Sequence, residues 1–144
     1  MKFVFATMIY LFTAFAFADE VKVLSEEEIK TRVIEITNAT NKMMRAGSTV
    51  EDVDKWFSNF TDDYVYIHQA YGGTYTKEKL YSGSIANVKN GRYNMSSDRY
   101  EIVQILPGYN GAAVQRKNLP NGKIHLSVFE FRGDKVSKIT EYWR

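Results

Sequence analysis

An α+β domain is what this sequence predicts, with helices first and an antiparallel meander after them. Capping residues open helices at Ser25 and Thr49, each ahead of apolar residues at helical spacing. Alternation takes over at Tyr64 and returns after residue 98 in four runs. Those runs are separated by Pro107-Gly108, Pro120-Asn121-Gly122 and Gly133-Asp134, the residue types that tight turns require.

The first helix begins at Ser25-Glu-Glu-Glu28, a capping box in which serine and the third helical glutamate satisfy each other's backbone N–H. Ile29, Val33, Ile36 and Met43 then share a face up to Gly47, a glycine suited to stopping a helix. Thr49 and Asp52 open a second helix in the same way, with Val50, Val53, Phe57 and Phe60 on its inner face and Trp56 and Asp62-Asp63 flanking its end. From Tyr64 the side chains alternate, so Tyr64, Tyr66 and His68 lie on one face and Val65, Ile67 and Gln69 on the other. Gly72-Gly73 marks a turn, and Thr76 caps a short third helix carrying Leu80, Ile85 and Val88 and closing near Asn90-Gly91. Strands are expected near 98–106, 112–119, 123–132 and 136–143, with the three helices laid on one face of a strongly bent, mostly antiparallel sheet.

The first eighteen residues hold one basic side chain, Lys2, then an apolar run and Ala16-Phe17-Ala18 ahead of Asp19-Glu20. That is the layout of a secretory signal peptide (1–18) cut after Ala18, which leaves 19–144 as one domain. The apolar run is shorter than the ~20 residues a bilayer span needs, so no stable membrane anchor is expected after cleavage. The protein is therefore expected to be exported, periplasmic or secreted. With 0 cysteines, disulfides, thiol catalysis and thiolate metal sites are all excluded. A disulfide-free exported domain rests on its core alone, which suits a bacterial periplasm. Sequons at Asn38, Asn59 and Asn94 point weakly toward a eukaryotic source instead. The formal charge is +2, or +1 without Lys2, and no basic run is longer than two residues. Phosphate binding needs a concentrated basic face, so no nucleic acid partner is expected.

Two stretches carry a family resemblance, Phe60-Thr-Asp-Asp-Tyr-Val-Tyr-Ile-His68 and Gly133-Asp-Lys-Val-Ser-Lys-Ile-Thr-Glu-Tyr-Trp143. Together they resemble the nuclear-transport-factor-2-like (NTF2-like) superfamily, which includes the SnoaL-like cyclases and the ketosteroid isomerases. The resemblance implies a cone-shaped α+β fold whose curved sheet encloses a pocket. In the isomerases a similar aromatic-x-Asp-Asp run leads to the catalytic aspartate, at the place where this chain has His68, and the Trp of a closing aromatic pair lines the pocket. Placing Trp143 inward brings Glu141 and Ile139 with it by period two. Counting back through the hairpins turns Val114, Arg116 and Asn118 inward, and likewise His125, Ser127 and Phe129. Ser127 stands near the place of a second isomerase aspartate, and the first helix offers no Tyr as an oxyanion donor. Ketosteroid isomerase chemistry is accordingly not expected.

The expected site gathers His68, Glu141 and Arg116 as its chemically active side chains, with Tyr66, Val114, His125, Ser127, Phe129, Ile139 and Trp143 as ligand contacts. A histidine oriented by a carboxylate can move a proton near neutral pH, and Arg116 could clamp an anionic group through parallel hydrogen bonds. The alternative is that Arg116 and Glu141 simply form an ion pair with His68 beside it, and that His125 sits at a strand edge by the Asn121-Gly122 turn. No metal-ligand spacing, P-loop or nucleophile elbow is present, so neither a metal nor a cofactor is expected. Three functions fit: a pocket protein for a small apolar or weakly acidic ligand, a SnoaL-like lyase, isomerase or cyclase using His68 as general base, or a non-catalytic interaction module. The same register turns Ile124, Leu126 and Val128 outward, joined by Val136 and Tyr142. Relatives commonly pair through that sheet face, which implies a two-fold homodimer.

Overall fold

Ser25 and Thr49 both close their capping boxes, in a computed structural model that describes residues 22–143. The expected signal peptide, 1–18, lies outside the described residues. Glu28 accepts from the Ser25 backbone N–H at 2.9 Å and thereby starts α1 (Glu26–Met44). Its apolar face, Ile29, Val33, Ile36 and Met43, is fully buried as its spacing implies. α1 ends short of Gly47 because Arg45 turns extended and bridges to Met95, whose carbonyl accepts the Ala46 N–H at 2.9 Å.

α2 (Val50–Phe57) stops earlier than its apolar spacing suggests, and Phe60 belongs to β1 (Phe60–His68). The reason is Asn59. Its side-chain amide donates to the carbonyls of Lys55 and Trp56, and its own carbonyl accepts the Val136 N–H, so the last turn is capped as the sheet begins. Val50, at the first helical position, is exposed rather than on the inner face.

A strand that the sequence does not betray follows a single 3-10 turn at Gln69–Tyr71. β2 (Gly73–Thr76) folds back antiparallel on β1, with Gly72 at φ 66 making the reversal that an L side chain resists. Thr76 then caps α3 (Lys77–Lys89). The meander is β3 (Tyr100–Gly108), β4 (Gly111–Asn118), β5 (Ile124–Arg132) and β6 (Lys135–Tyr142). β3 continues through Pro107-Gly108, and the turn falls instead at Tyr109-Asn110, where Asn110 takes φ 45. Pro107 is tolerated because β3 is an edge strand, with no neighbour on its outer side among the described residues.

The sheet runs β2-β1-β6-β5-β4-β3, antiparallel throughout except where β6 lies parallel to β1. Register slips interrupt β3 at Ile102/Gln104 and the β5–β6 ladder at Glu130/Phe131. Extra residues of this kind bend a strand and raise its twist, curling the sheet around the helices. The slip in β6 also turns Val136 into the core, where it is fully buried, and not onto the outer face where strict alternation puts it. Elsewhere the expected register holds: His125, Ser127 and Phe129 face in, Val128 is half-buried, and Ile124 and Leu126 are 49% and 38% exposed. Among the described residues no helix is long and apolar enough to cross a membrane.

Candidate functional site

Between the helices and the concave face of the sheet lies a cavity of about 340 Å³. α1 supplies Ile36, Thr40, Met43 and Met44 to its wall, α2 supplies Trp56, and α3 supplies Leu80 and Ser84. The sheet supplies Tyr64, Tyr66 and His68 from β1, Arg116 from β4, Phe129 from β5, and Ile139 and Glu141 from β6, with Trp143 just beyond. The wall is mostly apolar and aromatic, with a few polar groups converging on one end, the arrangement typical of small-molecule sites.

The polar end is built on Glu141. Arg116 Nη2 donates to Glu141 Oε1 at 2.8 Å and to Ser127 Oγ at 2.9 Å. Tyr66 donates its hydroxyl to Oε2 at 3.1 Å, and Trp143 Nε1 donates to the same oxygen. β5 separates β4 from β6, so the ion pair reaches across an intervening strand, over Ser127, which stands opposite Glu141 in the ladder. Arg116 also packs its guanidinium on Tyr100 (4.5 Å) and Phe129 (5.5 Å). Both members of the pair are buried. Burial, followed by the Glu141 charge, pushes the Tyr66 phenol far above its ordinary value. The same causes raise Tyr64, whose hydroxyl is buried without a partner.

His68 lies beside Glu141 in the parallel ladder, yet the two do not bond, and the expected carboxylate–imidazole pair is not formed. Both carboxylate oxygens are already occupied by Arg116, Tyr66 and Trp143. His68 is 5% exposed, and neither ring nitrogen has a hydrogen-bond partner among the described residues. Rings hold it instead: Tyr71 stacks on it at 4.3 Å, and Trp143 meets it edge-on at 4.6 Å. His125 stacks nearly parallel on Trp143 at 3.9 Å. Its burial lowers its pKa below the ordinary imidazole value.

Seven expected site residues thus line one cavity: His68, Arg116, Glu141, Tyr66, Phe129, Ile139 and Trp143. Val114, His125 and Ser127 face the same way but do not line it. Val114 is packed in the core, Ser127 is spent on the ion pair, and His125 lies against Trp143. Sequence reasoning missed Arg99, Tyr100 and Tyr93 as lining residues; Met43, Met44 and Trp56 from the helices line the cavity as well. A visible signal existed for Tyr100 alone, an aromatic inward by period two at the start of a strand. Among the described residues no group of three or more His, Cys, Asp or Glu side chains could hold a metal ion.

Helices folded over a curved six-stranded sheet, with a cavity between them, define this chain as having the NTF2-like cone fold. A SnoaL-like protein of unknown function from Burkholderia thailandensis matches with TM-score 0.61 at 18% identity, covering 84% of this chain and 98% of that one. An NTF-2 like protein of unknown function from Pseudomonas aeruginosa matches with TM-score 0.62 at 15% identity, covering 81% and 98%. A de novo designed protein with a curved β-sheet matches with TM-score 0.58 at 21% identity, covering 82% and 86%. No family model matches the sequence, and no curated protein sequence does. Likeness at these identities carries the fold and leaves function to the site.

Proposed function

We propose that this chain is a pocket protein that takes a small apolar or weakly acidic organic ligand into the cone. The observation that carries this reading is His68: a buried imidazole at the cavity wall with both nitrogens unpartnered. Buried polar groups are almost always satisfied, so an orphaned one facing a cavity marks the place where a ligand's polar atom completes the site. A thermal-shift screen of small carboxylic acids, aromatics and steroids tests it. A ligand held at about a hundred times its Kd stabilises the fold by about 2.7 kcal/mol. His68→Ala is expected to abolish that shift while the protein alone melts close to its original temperature. A large loss of stability with the ligand shift intact makes His68 a structural residue and ends the proposal.

The alternative, a SnoaL-like lyase, isomerase or cyclase with His68 as general base, draws on the same unpartnered nitrogen. Glu141 favours binding over catalysis, because its engagement with Arg116 leaves His68 without a carboxylate to orient its ring. We further propose export from the cytoplasm, on the layout of residues 1–18, and pairing of two copies through the outer sheet face. Ile124, Leu126, Val103, Leu106 and Tyr142 are exposed large apolar side chains on three of the meander strands, β3, β5 and β6, more than a lone domain usually leaves in water. An interaction module that works through this face alone, with the cavity idle, is the remaining reading.

A further inference from the structure

We infer that Arg99 is the residue that makes this cavity select a monocarboxylate, and that Arg116 is not. The inference rests on the cavity being a ligand site. The charged side chains lining it are two arginines, Arg99 and Arg116, against one glutamate, Glu141. Glu141 is committed to Arg116 at 2.8 Å, and that pair is closed on itself by Ser127, Tyr66 and Trp143. Arg116 is therefore already neutralised, and using it as an anion clamp means breaking a buried ion pair.

Arg99 is different. Its Nε, like that of Arg116, is buried without a hydrogen-bond partner, but unlike Arg116 it takes part in no ion pair among the described residues. Asp98, the adjacent carboxylate, is engaged by Arg45 at 2.8 Å. The Arg99 guanidinium instead lies by the Tyr100 ring at 5.4 Å. A guanidinium held against an aromatic wall with donors to spare suits a planar carboxylate. The cavity as built carries one positive charge in excess, and a ligand carrying a single negative charge completes it. Tyr100, Trp143, Phe129 and Trp56 in the same wall favour an aromatic body behind that carboxylate.

The test is isothermal titration of the purified protein with naphthalene-2-carboxylate and with the equally shaped, neutral naphthalene-2-carboxamide. The acid is expected to bind more tightly than the amide. Arg99→Gln should weaken the acid about tenfold to a hundredfold, the worth of a charge-assisted pair, and change the amide less than about twofold. Arg99→Lys should recover part of the acid's affinity, since it restores the charge but not the fork. Fold loss is not at issue, because the Arg99 side chain is half-buried and anchors no hydrogen bond. Equal affinities for acid and amide, or equal losses of both in Arg99→Gln, overturn the assignment of Arg99 and leave the ligand site standing. Failure of both probes to bind the unchanged protein overturns the assignment and counts against the ligand site as well.

Discussion

Glu141→Gln removes one charge from the cavity and almost no volume, so its effect isolates the electrostatics of the buried pair. The Arg116 and Glu141 side chains are 5% and 8% exposed, and water cannot take over when the carboxylate is gone. Stripping one partner from a buried ion pair costs about 3–5 kcal/mol, because the other charge stays behind uncompensated. Two features here hold the loss to the lower end. Arg116 keeps its faces on Tyr100 and Phe129, worth about 0.5–2 kcal/mol, and the glutamine oxygen can still accept from Nη2. The expected loss is about 3 kcal/mol, out of a total that is ordinarily about 5–15 kcal/mol. For a domain of this size that lowers Tm by about 10 °C, read by circular dichroism. Arg116→Met added to Glu141→Gln should recover most of it, since no lone charge is then left buried. A Tm drop under about 2 °C in the single variant, with no recovery in the double, means the pair is solvated and the polar end of the cavity is wrongly described.

Two other outcomes follow from burial. Leu126→Lys should give a folded monomer by light scattering and the unchanged protein a dimer, because Leu126 is on the outer face; a monomeric unchanged protein or a dimeric variant rejects the proposed pairing. His125 has a pKa lowered by burial, so below its unfolded value of about 6.5 the unfolded chain takes a proton that the native state refuses, and stability falls as pH falls. His125→Phe keeps a ring against Trp143 and should flatten the stability curve between about pH 7 and pH 5.5, measured by urea unfolding; parallel curves reject the role given to His125.

The helices were legible because their signals are local. Ser25 with Glu28 and Thr49 with Asp52 carry cap and partner within three residues, and the structure closes both. β2 was not legible, because Gly73-Thr-Tyr-Thr is too short to show alternation and exists only by pairing with β1. Val136 defeats period-two counting for a related reason: the slip belongs to the ladder between β5 and β6, not to β6 alone. In the site, the inward Trp143 that the family resemblance implies, carried through the strands by alternation, gave the direction of Arg116, Glu141, Phe129 and Ile139, but direction carries no depth. Val114 and Ser127 point the same way and are used up beneath the cavity. The competition for Glu141 between Arg116 and His68 is settled by reach across β5, which no single strand's sequence encodes.

The latest strand in the sequence occupies the middle of the sheet. β6 joins β1 on one side to β5 on the other, so the β1–β2 hairpin and the β3–β5 meander have no common edge until residues 135–142 are in place. A ribosome releases that keystone after every other strand, and the chain must hold two unjoined half-sheets until then. Contacts this distant in sequence slow folding and expose strand edges meanwhile. Ile139 and Glu141 ride on the same strand, beside Tyr66 and His68 of β1. The cavity wall and the completed sheet therefore come into being in one step.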